Sequence, residues 1–188
     1  IHEMKHVPED LENHIILVGC HVQGQEILND LVQDDEDVLI VEYDSQIIDN
    51  YSEKGHYTFY GDINHVDFVN ELNADSARMI ISTVPKKRAN TTCIEAGESL
   101  GLPVIARSNS IDDALEMYRE GASYVILPDL LSAEKASELI IEGLEQPDRL
   151  EELREHDIGY LSAREEDLVL AEYGPAYLQH VKDELQEN

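Results

Sequence analysis

The sequence predicts an α/β fold built on a doubly wound parallel sheet, and three observations carry that reading. Short apolar runs alternate along the chain with amphipathic stretches of helical spacing, the rhythm of strands joined by crossover helices. The runs are continuously rich in Val and Ile instead of alternating with polar residues, as strands covered on both faces are. The first run, Ile15 to Val18, opens into a loop with glycines five apart, Gly19-Cys-His-Val-Gln-Gly24, and a second run is followed by an acidic residue, Glu42. That is most of a dinucleotide-binding fingerprint, with His21 standing where its middle glycine belongs.

Taken in order, the strands are expected at Ile15 to Val18, Val38 to Val41, Tyr57 to Tyr60, Met79 to Ser82, Val104 to Ala106 and Tyr124 to Leu127. Apolar positions at helical spacing between them place helices at Val22 to Leu31, Ser45 to Lys54, His65 to Leu72, Arg88 to Leu100 and Ile111 to Glu120. Ser110-Ile-Asp-Asp113 has the form of a capping box with Asp in the Glu position. Right-handed crossovers then give a Rossmann-like sheet in the order 3-2-1-4-5-6. After Pro128 the strand signal stops. Leu131 to Leu144 reads as a helix, Gln146-Pro147-Asp148 as a break, Arg149 to Arg164 as one or more acidic helices, and Ala176 to Leu185 as a last amphipathic piece. The expected organisation is a linker from an upstream segment at 1–12, an α/β domain at 13–130, and a helical extension at 131–188. The extension reads either as a dimerisation arm or as a partly frayed terminus.

The 188 residues suit one domain with a tail, and a hydrophobic content of 42% is ample for a single core. No window approaches the roughly 18 consecutive apolar residues of a membrane span, and nothing at the start resembles a signal peptide. The start at Ile1 is what a piece of a longer protein, with its remainder upstream, would show. Cys20 and Cys93 lie far apart without Cys-x-x-Cys spacing, so they read as two reduced, buried thiols. Charge is the second large signal, because 41 Asp and Glu against 13 Lys and Arg give a formal −28. Such a surface repels phosphate backbones, which argues against a nucleic-acid partner. Three readings of the acidity remain open: adaptation to a salty cytoplasm, docking onto the Lys- and Arg-rich cytoplasmic loops of a membrane protein, or a solvated acidic face.

In an open α/β sheet, ligands bind at the carboxyl ends of the strands where the order reverses. Gly19 and Gly24 keep the turn and helix-packing roles of the fingerprint, while an imidazole at position 21 either displaces a pyrophosphate or contacts it. Glu42 is placed to accept hydrogen bonds from ribose hydroxyls, favouring NAD or an adenine mononucleotide over NADP. In Gly61-Asp62-Ile63 the aspartate is placed to reach an adenine amino group or to cap the helix that follows. Pro85-Lys-Lys-Arg88 is the densest positive cluster, and cations at a helix start oppose its dipole, so attraction to phosphate or to an acidic neighbouring surface is one explanation and a solvated loop the other. Arg107 reads either as a phosphate ligand or as half of an ion pair.

The ordered set Gly19-Cys-His-Val-Gln-Gly24, Val-Glu42, Tyr60-Gly-Asp62, Ser-Thr83-Val-Pro, Val-Ile-Ala-Arg107 and Gly121-Ala-Ser-Tyr-Val-Ile-Leu-Pro128 resembles the TrkA-N family, the N-lobe of KTN/RCK regulatory domains, over roughly residues 13 to 145. The shorter tail resembles the cytosolic C-terminal domains of Kef-type cation:proton antiporters more than regulators with a β-rich second lobe. The resemblance implies a cytoplasmic, ligand-sensing gate of a potassium channel or cation:proton transporter, not a catalyst. It implies binding of NAD(H), AMP, ADP or ATP, assembly as a homodimer, and a membrane channel or antiporter as partner. The nucleotide site it implies comprises Gly19, Cys20, His21, Val22, Gln23, Gly24, Glu42, Tyr43, Asp62, Ile63, Thr83 and Arg107. The rival classes are a nicotinamide-dependent oxidoreductase and an adaptor that has lost its ligand. No tyrosine has a lysine four residues on, and the eight histidines show no metal-binding spacing.

Overall fold

The computed structural model describes residues 7–174 and residue 177. Six strands, β1 (Ile15–Val18), β2 (Val38–Glu42), β3 (Tyr57–Tyr60), β4 (Met79–Ser82), β5 (Val104–Arg107) and β6 (Tyr124–Ile126), form one sheet in the order β3-β2-β1-β4-β5-β6. Every pairing is parallel. Five helices lie between or after these strands: α1 (Val22–Gln33), α2 (Ser45–Glu53), α3 (Phe68–Leu72), α4 (Lys87–Leu100) and α5 (Ile111–Arg119). This is the doubly wound, Rossmann-like topology, and the strand order reverses between β1 and β4.

The absence of alternation in the central strands has a direct physical cause, since successive side chains point to opposite faces and both faces are covered. Ile16, Val18, Leu39, Val41, Ile80 and Val104 pack on one face with Ala89, Cys93 and Ile94 of α4 and Ala114 and Met117 of α5. Ile15, Leu17, Val38, Ile40 and Ile81 pack on the other with Leu28 of α1 and Ile47 and Tyr51 of α2. Only the edges are wet: Tyr57 and Tyr60 of β3 and Tyr124 of β6 are exposed. His14, fully buried at the entrance to β1, bonds through Nε2 to the Leu72 carbonyl. Burial holds its imidazole below the ordinary histidine range.

Departures from the expected elements trace to local capping. The stretch expected as one helix from His65 to Leu72 is a 3₁₀ turn, Ile63–His65, followed by the short α3. Asp62 accepts from the Asn64 backbone N–H, and Asp67 accepts from those of Val69 and Asn70, so each aspartate starts its own turn. Ser110 caps α5 by accepting from the Asp113 N–H, yet Asp113 does not reach back as a capping box requires. Its carboxylate instead pairs with Lys87 at 3.1 Å, and the Ser110 N–H donates to the Ser108 hydroxyl.

From Pro128 onward the described residues form a second compact unit. It consists of α6 (Pro128–Glu145) and α7 (Pro147–Tyr173), with Pro147 in the first turn of α7, where its missing N–H costs nothing. Gly143 of α6 is buried against the Leu150 side chain of α7. The break falls at Gln146, and the acidic stretch is a single helix of 27 residues. Except for Tyr177, the piece expected at 176–185 lies outside the described residues.

Gly97 lies where α4 crosses β5, and a Cβ there would sit 2.1 Å from Val104 Cγ2 and 2.9 Å from the Leu102 carbonyl oxygen. Alanine is a better helix former than glycine by about 1 kcal/mol, but overpacking a tight crossing costs about 1–3 kcal/mol. Gly97→Ala should therefore lower the urea midpoint without changing the slope of the transition; an unchanged or raised midpoint would show that the crossing gives way freely.

Candidate functional site

At the carboxyl ends of β1, β2 and β3 an open cleft is lined by residues that include Gly19, Glu42, Tyr43, Asp62, Ile63 and Lys86. The turn after β1 builds one wall. Gly19 has φ +86°, a left-handed conformation that glycine adopts without strain, and a Cβ there would also lie 2.9 Å from the Thr83 hydroxyl. A Cβ on Gly24 would fall 2.2 Å from the Gly19 carbonyl oxygen, so α1 can begin this close to the turn only with glycine at that position. The first and last glycines thus keep the roles the spacing assigns them. His21, at φ −79° and ψ −159°, is in extended backbone open to any residue, so the imidazole enters the motif without distorting it. Its side chain makes no cap to α1.

Glu42 behaves differently from the sequence expectation. The residue is only 3% exposed, and its carboxylate accepts from three backbone N–H groups: Cys20 at 3.1 Å, Tyr43 at 2.9 Å and Asp44 at 3.2 Å. His21 Nε2 lies a further 3.8 Å from Oε2. A carboxylate offers about four acceptor positions, so about one remains for a ribose hydroxyl. Glu42 is first a clasp between the loops after β1 and β2. Neither spacing nor composition signals that role, because any acidic residue ending a second strand looks the same in sequence.

The remaining expected residues divide into those the structure brings to the cleft and those it sets behind it. Tyr43, 58% exposed, lies at the mouth with Lys86 Nζ 5.7 Å from its ring centroid. Asp62 lines the cleft and also caps the following turn, so the two explanations of that residue hold together. Hydrogen bonds from the Asn64 backbone and side-chain amides hold its carboxyl below the usual carboxylate range, helped by the charges of His65 and Arg88. Ile63 is buried on the cleft wall. Thr83 is also buried, and its hydroxyl donates to the Gly19 carbonyl at 3.0 Å, placing it behind the turn as a support. Cys20 is 1% exposed, Val22 is at the surface, and Gln23 carries a buried Oε1 atom without a hydrogen-bond partner. Arg107 leans back to the Thr83 carbonyl through Nη1 at 3.3 Å, with a buried Nε atom that has no partner.

One contributor carries no motif signal. Asn90, fully buried on α4, donates to the carbonyls of Val84, Lys86 and Arg107, tying the loop after β4 to the end of β5. Lys86 comes from the basic cluster, whose members separate: Lys87 pairs with Asp113 and Glu116 of α5 at 3.1 and 2.6 Å, so the acidic surface it answers belongs to the same chain. Among the described residues no group of three His, Cys, Asp or Glu side chains could hold a metal ion.

A glycine turn, a buried acidic clasp and a cleft at the reversal point define a nucleotide-binding type of α/β fold. Residues 15–128 match the family model of the TrkA-N domain, and the chain belongs to that family. Over 148 residues it is 24% identical to the putative cation/proton antiporter YbaL of Escherichia coli, covering 74% of this chain and 25% of that protein. The chain therefore spans about a quarter of that relative's length. The crystal structure of the YbaL TrkA-N domain superposes with a TM-score of 0.65 at 21% identity, covering 69% of this chain and 98% of that one. The Kef C-terminal domain of Shewanella denitrificans in AMP-bound form gives 0.61 at 19% identity, covering 85% and 98%. The GsuK channel bound to NAD gives 0.59 at 20% identity, covering 66% and 23%.

Both cysteines are free and buried, and burial pushes each thiol up to about 12 from an ordinary value of 9.0. The folded chain holds these protons while the unfolded chain releases them, so stability is fully present below about pH 9 and is lost as the pH rises toward 12. Iodoacetamide at pH 8 should label neither thiol in the folded protein and both in urea; rapid labelling of folded Cys20 would show that the turn opens.

Proposed function

We propose that this chain is a nucleotide-sensing regulatory domain that gates a potassium or cation:proton transport protein of the Kef/Trk type. The observation that carries the reading is the cleft beside the Gly19 turn, with Glu42, Asp62 and Ile63 in its walls; α1 begins at Val22, three residues beyond Gly19. A helix N-terminus attracts phosphate, and the reversal point of a doubly wound sheet is where such folds take nucleotides. The relatives support it, since one similar structure is described as bound to AMP, another as bound to NAD and a third, of GsuK, as bound to ADP. NAD(H), AMP, ADP and ATP are accordingly the ligands to consider.

Ligand binding can gate a transporter only through different affinity for two arrangements of the assembly, and about 1.4 kcal/mol of difference gives a tenfold shift. A homodimer is the natural bistable element. Its seam would use α5, where Ile111 is 70% exposed and Leu115 and Tyr118 share the open face, with the helical extension at 131–188 as an arm. The formal charge of −28 suits docking on the basic cytoplasmic loops of a membrane partner, in the same longer chain or beside it. No described helix is long and apolar enough to cross a membrane.

Calorimetric titration with AMP, ADP, ATP, NAD and NADH should show saturable binding of at least one nucleotide without turnover. Asp62→Ala should weaken it several-fold. Turnover of a nicotinamide cofactor would favour an oxidoreductase, and silence across the panel would leave only an adaptor. The double variant Ile111→Asp with Leu115→Asp should sediment as a monomer at concentrations where the parent is dimeric; equal sedimentation would remove α5 from the seam.

A further inference from the structure

Resting on the nucleotide reading above, we infer that His21 restricts the ligand to an adenine mononucleotide ending in a free phosphate and turns dinucleotides away. The cleft lies at the reversal point itself: its lining comes from the ends of β1, β2 and β3 and, opposite them, from Val84 after β4 and Lys86 and Ala89 at the start of α4, while Arg107 at the end of β5 is not part of it. To continue from this cleft toward the end of β5, a dinucleotide must run its two phosphates over the backbone of residue 21, where the intact motif is bare glycine so that the pyrophosphate can lie close.

Here that backbone carries a Cβ in a fixed direction, set by φ −79° and ψ −159°. Side-chain rotation cannot remove it. The imidazole beyond leans toward Glu42, with Nε2 3.8 Å from Oε2, and its side chain is 54% exposed at the rim. His21 is not among the residues lining the cleft, so the imidazole leaves the cleft itself open. A mononucleotide ends at this point. Its terminal phosphate carries about −1.5 to −2 charges at neutral pH and has oxygens free to accept from the imidazole N–H and the first turn of α1, whereas the linking phosphates of a dinucleotide have a further nucleoside to place.

The test compares AMP and NADH by calorimetry on the whole chain and on His21→Gly, with His21→Ala as a second variant. Glycine and alanine both accept this backbone, so the turn is retained. The parent chain should bind AMP at least tenfold more tightly than NADH. His21→Gly should cut that ratio at least tenfold, by admitting NADH and weakening AMP, and His21→Ala, which keeps the Cβ, should weaken AMP while still excluding NADH. Equal affinity of the parent for AMP and NADH, or an unchanged ratio in His21→Gly, overturns the role given to His21 and leaves the nucleotide reading standing. Failure of the parent to bind AMP overturns the role given to His21, and failure to bind any of AMP, ADP, ATP, NAD and NADH overturns the nucleotide reading as well.

Discussion

The clasp made by Glu42 is the interaction on which the rest of this structure depends. Burying a carboxylate away from water is costly unless its oxygens are satisfied, and here three backbone N–H groups from two loops satisfy them. The same bonds fix the loop after β1 against the loop after β2, which sets the width of the cleft. With three of its acceptor positions used internally, Glu42 keeps about one more.

Around that clasp the turn is built from close approaches that tolerate few residues. Gly19 needs its left-handed backbone, Gly24 needs to lie against the Gly19 carbonyl, and Thr83 supports that carbonyl from β4. Position 21 is the exception, because its backbone is ordinary and so accepts a side chain. The motif is thus intact as a piece of architecture while altered as a recognition surface. On the far side of the reversal point, Asn90 holds the loop after β4 to the end of β5, and Arg107 is drawn inward with it.

The electrostatics are uneven in the same way. In a chain of formal charge −28, the cations of the 86–88 cluster divide between internal pairing and the cleft. Lys87 is taken by two carboxylates of α5, while Lys86 stands over Tyr43 at the cleft mouth. Lys86 thus sets one positive charge at the cleft mouth of a strongly acidic chain.

The order of the strands, the two covered faces of the sheet and the location of the turn follow from the sequence alone, because hydrophobic period and glycine spacing are local properties that burial on both faces leaves visible. The Val- and Ile-rich runs at β1, β2 and β4 and the Gly19 to Gly24 spacing needed no tertiary information. What tertiary structure decided were the partners of groups whose types were already known: that Glu42 faces inward to backbone amides, that Thr83 supports the turn from behind, that Lys87 answers α5, and that Asp62 and Asp67 break one expected helix into two turns. A side chain's hydrogen-bond partner depends on which loops the sheet order brings together, and residues 20 and 42, or 83 and 19, meet only because β1 lies between β2 and β4.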